Sequence, residues 1–315
     1  MHFSNRFFLL TLIILFLGGI SNSSLVQTAR VPVDEPLSPR ETRCFKSPDE
    51  RCYLKIQNRG KTLKGIYEPH KFRPFIEIGD QAEFKSAWED NPLYVLANLS
   101  HAAYIADEEV AAMIKGFGGD VLLFRHNGQQ GFLGIWPDKS ILAFRGTDEP
   151  KNALDNLKTD PVPFQGITIH RGFRDATLEL WDDAGIAGHL DDARQKPDNP
   201  EKMYVTGHSL GAAMAVVSAL IYPFHQVITF GEPRVGDKIG ALLDGKTEHI
   251  RVVNGNDNVT TVPPGFLGYR HHGTEVAIRD PESISYNIAL SGINTDHSII
   301  NYCRNLWLQG PIAAQ

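Results

Sequence analysis

The sequence predicts an α/β fold with a mostly parallel central sheet and helices on both faces. Two observations predict it. From about Leu93 onward, short apolar stretches of extended type alternate with longer stretches of helical period, as strand–helix–strand units do. The 315 residues are 42% hydrophobic and 22% charged, enough apolar material for one large domain or two small ones.

The elements follow in order. Residues 25–65 read as a polar, Pro-containing leader with little regular structure outside the neighbourhood of Cys44 and Cys52. Leu93–Met113 carries Val95, Leu96, Leu99, Ala102, Ala103 and Ile105 at helical spacing. Extended segments follow at 121–124, 131–136 and 140–144, with Pro137-Asp138 as a turn between the last two. Ile167–His170 is a short strand, and Phe173 to about Ala193 a helix. Met203–Thr206 is a buried strand and Leu210 to about Ile221 a helix. Val227–Phe230 is a strand, Lys238 to about Leu243 a helix, and His249–Val253 and Glu275–Ile278 are strands. Asp296 to about Leu308 is the last helix. There is no internal repeat and no low-complexity tract.

Charge and targeting narrow the function. Lys and Arg number 31 against 37 Asp and Glu, a net charge of -6. Nucleic acid is thereby an unexpected partner, because phosphate backbones are bound by surplus cations. Arg6 precedes the apolar run Phe7–Ile20, and Ser21, Asn22, Ser23 and Ser24 follow it. That order is a secretory signal peptide over residues 1–24, with cleavage near Ser21 or Ser23; the run is short for a membrane-spanning helix. A secreted or periplasmic location follows, with a 25–65 leader and one folded domain over 66–315. Export makes one disulfide among Cys44, Cys52 and Cys303 plausible, with all three pairings open. No Cys/His pattern suits a metal, and His271-His272 is the only adjacent His pair.

The most informative stretch is Tyr204-Val205-Thr206-Gly207-His208-Ser209-Leu210-Gly211-Ala212-Ala213. It holds G-x-S-x-G between an apolar strand and an apolar helix, the setting of a nucleophile elbow. The chain must turn sharply there to lift the Ser209 hydroxyl clear of the sheet. Gly207 and Gly211 leave room where strand and helix crowd. The Leu210 N–H then lies at a helix N-terminus, where a developing oxyanion is favoured. His208 adjoins the nucleophile, but its side chain should point elsewhere from such a turn, which leaves it a packing role.

A serine nucleophile needs a base, and the base an orienting carboxylate, in the chain order Ser, acid, His. Of the later histidines, His225 and His249 sit at strand starts and read as structural. His297, in Thr295-Asp296-His297-Ser298 at a helix start, is the candidate base, with His271 and His272 as runners-up. Asp257 follows the strand His249–Val253, and side chains just past such strand ends line the site in open α/β sheets. Asp237 lies in a similar loop and is the alternative. Asp296 reads better as a helix N-cap.

Six ordered blocks in residues 90–308 resemble the class 3, or fungal-type, lipase family of α/β-hydrolases. They are Ala143-Phe144-Arg145-Gly146-Thr147, His170-Arg171-Gly172-Phe173, Gly207–Gly211 as GHSLG, Phe230–Gly236, Arg251–Pro264 and Asp296-His297. The resemblance implies an α/β-hydrolase fold with Ser209 as nucleophile, Asp257 as orienter and His297 as base and then acid. It also implies Thr147 and Leu210 as oxyanion-hole donors. No cofactor or metal is implied, and no obligate protein partner. The implied partner is a lipid or small ester substrate, met in some cases at a lipid–water interface.

The family's lid falls between the Thr147 and His170 blocks. Its candidate helix here, around Lys151, Leu154 and Leu157, offers only a narrow apolar stripe among Asp148, Glu149, Asp155, Lys158 and Asp160. Weak interfacial activation or plain esterase behaviour is therefore open, as is a fixed surface helix. The loop Val262–Tyr269 is placed at the mouth of the acyl pocket, with ordinary loop packing as the equal alternative. Sequons at Asn98 and Asn258 are read as unused, the second because a glycan would crowd Asp257. The leading reading is a secreted triacylglycerol lipase. Carboxylesterase, phospholipase A1 and feruloyl esterase are the alternatives within the family. A non-catalytic binding protein on the same scaffold is the reading from another class.

Overall fold

The computed structural model describes residues 57–58, 61–62, 78–147, 160–195, 202–278 and 295–309. The proposed signal peptide, most of the leader, Cys44 and Cys52, and the lid candidates Lys151, Leu154 and Leu157 lie outside the described residues. A two-residue ladder, β1 (Gln57–Asn58) with β2 (Lys61–Thr62), precedes the domain.

Three helices come first. α1 (Gln81–Asp90) starts at Asp80, whose carboxylate accepts from the N–H groups of Ala82 and Glu83. α2 (Pro92–Ala102) starts at Asn91 with Pro at its first turn, where a missing N–H costs nothing. α3 (Asp107–Gly116) opens on three acidic residues, favourable at the positive end of a helix. The single helix expected over Leu93–Met113 is thus two. Apolar spacing runs through the break, but the acidic triplet at 107–109 starts a new helix. α1 went unpredicted, because Phe84 alone marks its buried face.

A seven-stranded sheet follows in the order β11-β10-β9-β8-β5-β4-β3. Its strands are β3 (Asp120–His126), β4 (Gln129–Trp136), β5 (Lys139–Phe144), β8 (Met203–His208), β9 (Gln226–Phe230), β10 (Glu248–Asn254) and β11 (Thr274–Ile278). β5, β8, β9, β10 and β11 pair in parallel, while β3 and β4 add an antiparallel edge. A separate hairpin, β6 (Pro161–Phe164) with β7 (Ile167–His170), lies beyond Thr147. The sheet is flanked by α4 (Arg171–Asp183), α5 (Ile186–Arg194), α6 (Leu210–Ile221), α7 (Gly240–Leu243) and α8 (Ile299–Gln309). The helix expected over Phe173–Ala193 is split at Gly185, whose φ of 58° is left-handed and ends a helix without strain.

Strand alternation sorts the core into two layers. Leu142, Phe144, Met203, Val205 and Val227 pack on α4, α5 and α6. Their neighbours Ile141, Ala143, Tyr204, Ile228 and Phe230 pack on α1, α2, α3 and α8. Both faces of the sheet are covered, as a parallel sheet requires. α6 is apolar on every side and buried almost throughout, which makes it the axis of the larger layer. Asn98 is buried in α2 with its amide donating to the Tyr94 carbonyl, so that sequon is closed to a glycan. Cys303 is a free, buried thiol in α8, and burial pushes its pKa up.

Candidate active site

The turn from β8 into α6 holds Ser209 at φ 61° and ψ -123°, a strained conformation for a residue with a side chain. What permits it is the absence of neighbouring Cβ atoms. A Cβ on Gly207 would strike the Gly211 carbonyl group, and one on Gly211 would strike the Phe144 carbonyl oxygen. The Ser209 N–H is tied to the Phe230 carbonyl at 3.0 Å, which anchors the turn to β9.

Three strand ends and one short turn converge on this serine. The His297 Nε2 lies 2.9 Å from the Ser209 Oγ. Its Nδ1 lies 2.9 Å and 3.0 Å from the two Asp257 carboxylate oxygens. Asp257 follows β10, and His297 ends a 3₁₀ turn, Thr295–His297, ahead of α8. All three side chains are buried. The carboxylate also accepts from the Val259 N–H at 2.9 Å and from the Tyr302 hydroxyl at 2.6 Å. Burial, then the carboxylate beside it, push the Tyr302 phenol well above its usual range, so it stays a donor. Asp296 reaches the same loop, where its Oδ2 accepts from the Asn256 N–H at 2.8 Å.

The other expected residues fall as follows. Leu210 opens α6 directly after the serine. Gly146, beside Thr147, runs so close to the elbow that an added Cβ would lie 3.1 Å from the Ser209 Cβ. Asp237, the alternative acid, accepts instead from the Thr168 N–H at 2.8 Å and braces β7. The runner-up bases are occupied elsewhere: His271 Nε2 donates to the Thr260 carbonyl, and His272 Nε2 pairs with Asp244. His225 lies edge-on to the Tyr204 ring. In the loop Val262–Tyr269, Tyr269 is buried and Phe266 is 87% exposed. Arg234 holds the loop through the carbonyls of Thr261 and Pro263.

Glu232 escaped sequence reasoning. It is buried, 2.8 Å from the His249 Nε2, and accepts from the Thr229 hydroxyl. Burial alone would raise its pKa; the imidazoles of His249 and His271 outweigh that and bring it down to about 2. A carboxylate in a mostly apolar stretch next to the elbow's partner strand was the available signal.

A family model described as lipase (class 3) matches residues 141–267. This part of the chain is similar to the class 3 lipases. The match takes in Thr147, Ser209, Leu210 and Asp257, whereas His297 lies beyond it and joins them through the fold. A lipase of Rhizomucor miehei is 33% identical over 173 residues, 50% of this chain and 47% of that protein. A secreted mono- and diacylglycerol lipase of Fusarium solani is 33% identical over 147 residues, 43% of this chain and 42% of its own length. The chain thus spans about half the length of the curated relatives it matches. The solved structure of a triacylglycerol lipase, described as having a serine-protease triad, aligns with a TM-score of 0.52 at 25% identity. It covers 60% of this chain and 80% of that one. The matched segment and its surroundings form an α/β-hydrolase fold, with the predicted sheet and its flanking helices.

Proposed function

We propose that the protein is a secreted serine hydrolase of carboxylic esters, acting on triacylglycerols. The observation that carries the reading is the unbroken chain Ser209 Oγ to His297 to Asp257, with contacts of 2.9 Å on both sides of the imidazole. His297 takes the serine proton while Oγ attacks the ester carbonyl. Asp257 holds Nδ1–H and stabilises the imidazolium. Thr147 and the Leu210 N–H, at the positive end of α6, receive the oxyanion. His297 returns the proton to the leaving alcohol, and water repeats the cycle on the acyl-enzyme. Residues 1–24 direct export, 25–65 form a leader and 66–315 hold the hydrolase. The segment around Lys151, Leu154 and Leu157 is the candidate lid. The Fusarium solani relative, named for mono- and diacylglycerols, favours those partial glycerides as a second reading.

The test uses the chain without residues 1–24, with Ser209→Ala as blank. Hydrolysis is followed on mono-, di- and triacylglycerols of rising acyl length, below and above their solubility limits. Serine-dependent cleavage of triacylglycerols, faster on emulsions, is expected. Faster turnover of partial glycerides selects the second reading, and activity that persists in the alanine variant refutes the mechanism.

A further inference from the structure

We infer that His208, backed by Tyr104, is a positioning residue for the base: its Nε2–H holds the main chain of His297 against the elbow. The inference rests on the esterase reading above. The turn aims the His208 ring away from the Ser209 hydroxyl, as the sequence suggests, but not into mere packing. Its Nε2 lies 2.7 Å from the His297 carbonyl oxygen, and its Nδ1 lies 2.8 Å from the Tyr104 hydroxyl. The two imidazole rings are in contact, with centroids 4.6 Å apart.

The proton positions follow from the partners. A carbonyl only accepts, so Nε2 carries the hydrogen. Burial first, and then repulsion by His297, keep the His208 ring neutral. Nδ1 is therefore bare and accepts from the Tyr104 hydroxyl. A neutral ring suits its place, because a second cation beside His297 would oppose the imidazolium that ester cleavage requires.

The brace acts on the backbone of the base, whereas Asp257 and Ser209 hold its ring. His297 sits in a three-residue turn rather than inside a helix. Two consecutive carbonyls of that turn are held from the sheet: Asp296 O by the Asn254 amide at 2.8 Å, and His297 O by His208. His208 is also the residue before the nucleophile, so one side chain links the serine's backbone to that of its base. Tyr104 extends the link, because its hydroxyl fills the space that a Cβ on Gly146 would need, beside the oxyanion candidate Thr147.

The test compares His208→Gln with His208→Met in the full chain, two side chains of equal length of which only Gln can donate. Steady-state hydrolysis of 4-nitrophenyl butyrate gives kcat and KM separately, and a phosphonate gives the labelling rate of Ser209. The Met variant should lose about 10²-fold in kcat and labelling rate with KM nearly unchanged, as a base displaced by ~1 Å would. Gln should recover most of that loss. Equal rates in Met and Gln, whether both high or both low, overturn the inference. Should both variants fail to fold, Tyr104→Phe decides. A several-fold lower kcat at unchanged KM supports the brace, and a wild-type kcat refutes it. Hydrolysis that survives Ser209→Ala refutes the esterase reading itself, and this inference with it.

Discussion

Replacing Gly231 by alanine should disable the site from behind. Gly231 follows β9 with φ 60°, and its N–H is fixed to the Val252 carbonyl at 3.2 Å. An added Cβ would lie 2.7 Å from the Asp257 Oδ2 and 2.9 Å from the His297 Nδ1. Ordinary contact starts near 3.4 Å, so the acid must retreat by about 0.7 Å. Their hydrogen bond at 2.9 Å would then stretch beyond useful length. Displacements of ~1 Å cost on the order of 10²-fold in rate, and the left-handed backbone adds a stability loss of roughly 1–2 kcal/mol. Gly245→Ala separates the two effects. Gly245 has φ +74° with nothing within 4 Å of the added Cβ, so it carries the backbone cost alone. Turnover of a soluble short-chain ester and thermal unfolding should show both variants destabilised, and only Gly231→Ala slow. A Gly231→Ala enzyme with wild-type kcat would refute the reasoning.

Asp257→Asn keeps the size of the orienter but presents the wrong hydrogen-bonding partner to Nδ1; kcat should fall by up to ~10⁴-fold with folding intact, read from kinetics and near-UV circular dichroism. Thr147→Val removes the hydroxyl of the residue proposed for the oxyanion hole at nearly constant volume; a kcat loss of ~10²–10³-fold with little change in KM is expected. Tyr302→Phe deletes a charge-assisted bond to Asp257 and should cost roughly 1–3 kcal/mol in urea unfolding, with a smaller drop in kcat. Glu232 makes stability pH-dependent. Its folded pKa of about 2 lies below the ordinary 4.5, so its contribution is full above 4.5 and is lost as pH falls toward 2. The stability gap between wild type and Glu232→Gln should therefore close across this window in chemical denaturation, and a gap independent of pH would contradict the assignment.

Much of this protein was legible without a structure, for local reasons. Short continuous apolar runs at Ile141–Phe144 and Met203–Thr206 mark strands buried on both faces, because side chains of period two meet the core on each side when both faces are covered. The glycines at 207 and 211 announce the elbow, since close backbone approach leaves no room for a Cβ. Asp257 and His297 could be named, but not separated by chemistry alone from Asp237, His271 and His272. All occupy loops or strand starts of similar composition, and only the fold shows that Asp237 turns to Thr168 while Asp257 turns to the base. Helix breaks before Asp107 and at Gly185 were missed because apolar spacing continues across them. The contacts that align the site — His208 to the His297 carbonyl, Tyr302 to Asp257, Gly231 against both — join residues tens of positions apart. A side chain's local pattern tells which way it leaves the backbone. What it meets there depends on which distant segment the sheet order brings alongside, and that is decided only when the whole chain has packed.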